Sequence, residues 1–543
     1  MKTWWKESVV YQIYPRSFQD SNGDGVGDIS GIISRLDELS NLGVGTIWLS
    51  PVYASPGADN GYDISDYRAI NPEFGTMEDM ENLIAEAKTR DIRIIMDLVI
   101  NHTSDEHEWF KKSRAGDPKY RDYYIWQKGK PDGTVQGGKP NNWTGFFLTD
   151  VWEFDEERGE YYLHLFHAKQ PDLNYRNPKV IEEIKGILKF WLDKGIAGFR
   201  CDVINIIYKS SLADGKWRPA IRGLEHYKSQ EGNHEVLRQL RRDVLGQYDC
   251  FTVGETVMVD LNGAKELCDK ERGELDMVFY FDHLEVDRRI FRYIPKKFKS
   301  KKLIDILTKW QQGLEWNAIC LENHDQPRIV SHYGDDGEYW ARSAKMLATM
   351  EFTLRGTPFV YQGQEIGMTN FDYTNLAQLD DVESHNIDKM MKRLGIPAKL
   401  RWYWIRTASR DNARTPMQWD SSAQAGFTTG KPWLAVNANH KTINYEAQKQ
   451  DGNSVLTYYK RMIAFRATHE TIKYGTFTPL YTNENLVEYE RELNGEKYTV
   501  ILNFSNKKIQ RELQGKIVIS NVGRRGLESA LLPYEALVLR ERL

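Results

Sequence analysis

The chain has 543 residues, 41% of them hydrophobic and 28% charged, with 73 basic against 77 acidic side chains. That length exceeds what one compact core holds, so two or three domains are expected, and the even charge balance argues against a general nucleic-acid binder. No run of ~20 apolar residues is present to span a bilayer, and residues 1–7 lack the apolar stretch of a signal peptide.

Apolar runs predict strands at 9–14, 46–50, 92–98, 196–202, 251–255, 277–281, 317–321 and 358–361. Amphipathic stretches such as 29–42, 77–89 and 179–193 fall between them and predict helices. Eight strands alternating with helices are the pattern of a parallel (β/α)8 TIM barrel. Two insertions interrupt it. Residues 104–175, after strand 3, are rich in Trp, Tyr, Gly and Asp and predict an excursion domain. Residues 369–431 follow strand 8 as a second long insertion. The barrel is therefore expected to span 1–103 and 176–470. Period-two alternation over 471–543 predicts a C-terminal antiparallel β domain. Cysteines at 201, 250, 268 and 320 show no CxxC or zinc spacing and are expected to be reduced thiols of a cytoplasmic protein.

Three predicted strands end in acids: Gly198-Phe199-Arg200-Cys201-Asp202, Val253-Gly254-Glu255, and the 317–321 run followed by Asn323-His324-Asp325. An acid at a strand end belongs to a rim and not to a core, and barrel active sites lie at the C-terminal ends of the strands. Paired carboxylates flanking a bond are the machinery of glycoside hydrolysis. Taken alone, Arg200 and Asp202 would read as a structural ion pair. The other two acids in register favour a site.

With these motifs the chain resembles the α-amylase family of glycoside hydrolases (family 13), within it the oligo-1,6-glucosidase and dextran glucosidase group. The resemblance runs through Asp97-Leu98-Val99-Ile100-Asn101-His102, Gln170-Pro171-Asp172-Leu173-Asn174, the three acid motifs, Gly363-Gln364-Glu365-Ile366-Gly367-Met368 and Arg410-Asp411-Asn412-Ala413-Arg414-Thr415-Pro416, in that order. It implies Asp202 as nucleophile, Glu255 as an acid/base that begins protonated, and Asp325 as the third acid, which binds sugar hydroxyls. Arg200, on the same side of the strand as Asp202, would keep the nucleophile ionised. His102 and His324 would donate to hydroxyls of the same sugar, and Tyr62 would stack on it. Asp59 and Arg414 would close the pocket, making the enzyme exo-acting. Phe147, Phe166 and Gln170 would shape the wall, although the family more often has Gly-Ser-Ala-Trp where this chain has Phe146-Phe147-Leu148-Thr149-Asp150-Val151-Trp152.

The segment Asp20-Ser21-Asn22-Gly23-Asp24-Gly25-Val26-Gly27-Asp28 places oxygen ligands at alternate positions, which suits a hard cation. Position twelve is Gly31, not Glu, so the loop is not an EF-hand. It resembles the structural calcium loop of the same group, with ligands Asp20, Asn22, Asp24, Asp28 and the Val26 carbonyl. No organic cofactor is implied.

Val203 follows the nucleophile, and in this group Val there accompanies α-1,6 linkages. The resemblance thus implies a retaining exo-α-glucosidase of the oligo-1,6-glucosidase or glucan 1,6-α-glucosidase type, acting on small oligosaccharides as a monomer or weak oligomer, with no nucleic-acid or membrane partner. Trehalose-6-phosphate hydrolase and an α-1,4-preferring α-glucosidase are the alternatives. The Arg-Leu-Asp-Arg-Asp motif of sucrose isomerases is absent, since Gln326-Pro327-Arg328-Ile329-Val330 stands there. A non-catalytic transporter subunit is disfavoured because all three acids are kept and no anchor is seen.

Overall fold

The computed structural model describes residues 3–541 except 133, 135, 148, 290, 291 and 484. Met1, Lys2 and Leu148 of the segments quoted above lie outside the described residues.

Eight strands form the central sheet: β1 Val10–Ile13, β2 Thr46–Leu49, β3 Arg93–Leu98, β4 Gly198–Cys201, β5 Phe251–Glu255, β6 Met277–Phe279, β7 Ala318–Cys320 and β8 Thr357–Tyr361. Their order is β6-β5-β4-β3-β2-β1-β8-β7, a nearly closed (β/α)8 barrel. The β1–β8, β3–β4, β4–β5, β5–β6 and β7–β8 pairs are all parallel. Strands covered on both faces read as unbroken apolar runs, which is why these eight were visible in the sequence.

Close contacts divide the chain into two compact units, each described by itself. One comprises Trp48–Ala85 and Arg93–Phe279, the other Met1–Ile47, Glu86–Ile92 and Tyr280–Leu543. In the first, helix Pro178–Asp193 precedes β4. Asn177 caps it, Pro178 opens it, and Val180, Ile181, Ile184, Ile187, Leu188, Trp191 and Leu192 form its buried stripe. The same unit holds a three-stranded antiparallel sheet of Trp126–Gln127, Glu160–Leu163 and Trp152–Asp155, with Glu160–Leu163 in the middle. In the second unit, five antiparallel strands between Thr476 and Arg540 build the C-terminal sheet.

The expected 29–42 helix is two helices, Ile29–Ser34 and Leu36–Leu42, broken at Arg35 (φ −113°, ψ 7°). The Arg35 guanidinium donates twice to Gln19 Oε1, at 2.9 and 2.7 Å, and lies 4.2 Å from the Trp419 ring centroid. Tertiary anchoring of one residue outweighs an otherwise helical stretch.

Candidate active site

In the Trp48–Ala85 and Arg93–Phe279 unit, the register of β4 on β5 brings Asp202 and Glu255 level, because Cys201 pairs with Gly254. The two strands lie so close that a Cβ at Gly198 (φ +144°) would sit 2.0 Å from Phe251 O. Only glycine fits there. Arg200 Nη1 donates to Asp202 Oδ1 at 2.6 Å, and Nη2 lies 2.8 Å from Glu255 Oε2. A third carboxylate, Asp97, also accepts from Nη1. Asp97 is tied down in turn by Trp48 Nε1 at 2.9 Å and the Tyr62 hydroxyl at 3.4 Å. Arg200 and Asp97 side chains are 3% and 0% exposed, so this cluster has little water to screen it.

Three carboxylates surround one guanidinium. Burial pushes the Asp202 carboxyl up. Arg200 opposes the rise, and the Glu255 and Asp97 charges add to it. Like charges so packed repel one another, which adds to the rise that burial imposes on Asp202.

Immediately after Asp202 the chain turns through Val203, whose φ of 37° and ψ of 38° are left-handed. That region is costly for a β-branched residue. The side chain packs into an apolar cluster with Trp143, Leu165 and Tyr227, against which Phe146 and Phe166 lie.

The expected wall residues converge on the loop after β3. His102 Nε2 is 3.1 Å from Tyr62 O, and Gln170 Nε2 donates to Asp59 Oδ2 and Tyr62 O, both at 3.2 Å. The Phe166 ring packs 5.3 Å from that of His102, with Phe147 edge-on to Phe166 at 5.8 Å. Burial lowers the His102 imidazole to about 4, so it is neutral at ordinary pH. Tyr62 links the wall group to the acid cluster through Asp97.

In the other unit, two arginines and an imidazole hold Asp325. Arg414 Nη2 donates to its Oδ1 at 2.8 Å, Arg410 Nη1 to the same oxygen at 3.3 Å, and His324 Nε2 lies 3.1 Å from Oδ2. Burial alone would raise the Asp325 carboxyl, but His324, Arg410 and Arg414 hold it well below the usual range. Gln12 Nε2, 2.8 Å from His324 Nδ1, and Tyr14, stacked 5.9 Å away, orient that imidazole.

Asp97, Gln12, Tyr14 and Arg410 are parts of these arrangements, as are Asn101, whose Nδ2 is 3.1 Å from His102 Nδ1, and Lys209, which donates to Asn101 Oδ1 at 2.7 Å; none stands among the expected site residues. Asp97 and Asn101 share a motif with His102, and Arg410 shares one with Arg414, so a signal existed for those three. Gln12 stood as a polar residue inside an apolar strand. Lys209 gave none, because a lysine in a loop reads as solvated.

The 20–28 loop closes on itself. Asp20 accepts from the N–H groups of Asn22, Gly23 and Gly25 at 2.9, 2.7 and 2.8 Å, and from the Thr428 hydroxyl. Asn22 Oδ1 accepts from Asp24 N at 2.9 Å, and Asp24 Oδ1 from Val26 N at 2.8 Å. Asp28 caps helix Ile29–Ser34 through Gly31 N and takes two bonds from Ser21. Burial raises the Asp20 carboxyl, but the Thr428 and backbone donors outweigh it, so the group stays ionised. Among the described residues no three His, Cys, Asp or Glu side chains converge as a metal cluster. The donor set is nevertheless all oxygen, and an oxygen accepting one N–H keeps a lone pair for a cation. Asp20, already serving four donors, and Asp28, serving three, have the least capacity left for that role.

No helix among the described residues is long and apolar enough to cross a membrane. Residues 12–475 match the Alpha-amylase family (Alpha amylase, catalytic domain). The chain is 48% identical over 564 residues to an oligo-1,6-glucosidase of Parageobacillus thermoglucosidasius, covering 100% of both chains. It is 43% identical over 557 residues to a trehalose-6-phosphate hydrolase of Bacillus subtilis (strain 168), covering 99% of this chain and 98% of that one. Among solved structures it resembles isomaltulose synthase from Klebsiella sp. LX3, with a TM-score of 0.96, 41% identity and 100% of both chains covered.

Proposed function

The chain belongs to the α-amylase family and is a glycosidase or glucosyl-transfer enzyme of its exo-acting glucosidase group, and from that premise we propose that it is a retaining α-glucosidase that releases glucose from the non-reducing end of α-1,6-linked isomalto-oligosaccharides. The observation that carries this reading is the Asp202–Arg200–Glu255 cluster, in which one guanidinium contacts both carboxylates. Asp202, held at 2.6 Å by Arg200 and the more buried of the two, attacks the anomeric carbon. Glu255, with a side chain 17% exposed, is the acid assigned to give a proton to the leaving glycosidic oxygen. The same residue then removes a proton from the water that hydrolyses the glycosyl–Asp202 ester, so the sugar leaves with its α configuration. His102, His324, Asp59, Tyr62 and Arg414 are assigned to the glucose being removed. Asp325, an acid kept ionised by its cations, is assigned to its hydroxyls.

Full-length likeness to an oligo-1,6-glucosidase and Val203 beside the nucleophile support the α-1,6 preference. A second reading, hydrolysis of trehalose 6-phosphate, is supported by full-length likeness to a hydrolase of that name. Side-by-side glucose release from isomaltose, panose, maltose and trehalose 6-phosphate decides between them. Isomaltose is expected to give the highest kcat/KM, and a higher value for trehalose 6-phosphate would overturn the assignment.

We further propose that the 20–28 loop binds a structural calcium ion through Asp20, Asn22, Asp24, Asp28 and the Val26 carbonyl. Its carboxylates have no cation of their own in the loop. The four cysteines are unpaired, which supports a reducing, cytoplasmic setting.

A further inference from the structure

Lys209 lies seven residues beyond the nucleophile, yet its side chain is 2% exposed. Its ammonium meets Asp172 Oδ2 at 2.6 Å and donates to Asn101 Oδ1 at 2.7 Å. The Lys209 carbonyl accepts from Arg176 Nε at 2.9 Å, which fixes the backbone that carries it.

An ammonium only donates. The Asn101 atom facing Lys209 must therefore be its oxygen, and the amide nitrogen must face the other way. What it faces is His102 Nδ1, at 3.1 Å. A donor at Nδ1 leaves that nitrogen as an acceptor, so the ring proton sits on Nε2. The other side of the ring agrees independently: Nε2 is 3.1 Å from Tyr62 O, which can only accept. Gln170 Nε2 also lies 3.1 Å from the ring Nε2, where a donor would favour the other tautomer, but its two protons go to Asp59 Oδ2 and Tyr62 O, both at 3.2 Å, which leaves none for the ring. Asp172 and Lys209 are the charged groups acting on the imidazole. Asp172 favours its cation and Lys209 opposes it. The Phe166 ring covers the remaining side.

We propose that Lys209 is a positioning residue for His102: by holding the Asn101 amide in one orientation it fixes His102 as the neutral Nε2–H imidazole, which presents a donor and not an acceptor at the Tyr62 side. That this donor then meets a sugar hydroxyl rests on the function proposed above.

The test reads the ring itself. Full-length protein labelled with ¹⁵N-histidine, with His102 assigned through His102→Gln, is expected to show the Nε2–H tautomer. In Lys209→Met the amide is released and the opposing charge is gone. The Nδ1–H form is expected to appear, and the His102 midpoint is expected to move up by roughly one unit or more. Asn101→Asp gives the same direction by another route, since a carboxylate can only accept from Nδ1. It leaves the Lys209–Asp172 pair intact, so it carries the test if Lys209→Met does not fold. An unchanged tautomer and midpoint in folded Asn101→Asp would overturn the proposal. Kinetics on isomaltose separate the two ideas. With sugar contact, KM should rise about three- to tenfold with little change in kcat. A switched tautomer with unchanged KM would uphold the role of Lys209 and remove His102 from the sugar.

Discussion

The main-chain N–H of Val203 donates to Glu255 Oε2 at 3.3 Å. The residue after the proposed nucleophile thus touches the proposed acid/base, and it does so from a left-handed backbone conformation that Val seldom adopts. The turn at Val203 therefore couples the ends of β4 and β5 beyond their ladder.

Removing either acid is expected to abolish hydrolysis. Asp202→Asn and Glu255→Gln should each lower kcat for isomaltose by about 10³-fold or more, because the members of a covalent pair act as a unit. Circular dichroism should be unchanged. NMR of the first-formed product of the wild type should show α-glucose. β-Glucose would reject a retaining mechanism, and near-normal turnover in either variant would reject the assignment of that acid.

Val203→Ala is expected to raise the ratio of maltose to isomaltose kcat/KM, partially, because contacts of this size discriminate by about 1–3 kcal/mol. Since the side chain is packed among Trp143, Leu165 and Tyr227, the variant should also lose about 1–3 kcal/mol of stability in urea unfolding. An unchanged ratio at normal activity would move the specificity question to Thr256, Val257 and the 369–431 insertion.

Buried histidines and ionised acids each contribute stability that acid removes. Burial lowers His102, His164 and His283 to about 4 and His107 to about 3, from an ordinary 6.5. Above pH 6.5 these groups are neutral both folded and unfolded, and contribute no slope. Between 6.5 and about 4 the unfolded chain binds protons that the folded one refuses, so stability falls as pH falls, by about 1.4 kcal/mol per pKa unit per residue. At lower pH Asp325 and Asp381, both held below 3.8, take over, and their stabilisation is lost as they protonate. Burial raises Glu365 to about 7 and Asp411 to about 6, and these act in the opposite direction over the same range, so the imidazoles are read directly: NMR titration should show all four uncharged in the folded protein down to pH 5, and protonation near pH 6.5 would contradict their neutral burial.

Chelation is expected to lower the melting temperature without altering kcat once the enzyme is folded. An ion bound only by the folded state stabilises by RT ln(1 + [L]/Kd). Metal-free protein whose melting curve ignores added calcium would remove the 20–28 loop as a calcium site.

The barrel was legible because its strands are apolar on both faces and end in acids. The proposed Asp202, Glu255 and Asp325 roles came from motif order, which a one-dimensional string preserves. What the string conceals is which atoms meet. The break at Arg35 depends on Gln19 and Trp419. The third carboxylate on Arg200 comes from Asp97 on a neighbouring strand. The burial of Lys209 depends on Asp172, which no local pattern announces.

Gly198 sets a mechanical tolerance for the proposed catalytic pair. Retaining and inverting glycosidases differ in carboxylate separation by only about 1–4 Å, and a methyl group at 198 would meet Phe251 O at 2.0 Å, so β4 or β5 would have to shift outward. The spacing of the two acids is gauged by a missing carbon atom, with no side chain acting as a shim. A library that varies only the proposed active-site residues would never sample the position that lets the strands carrying them meet.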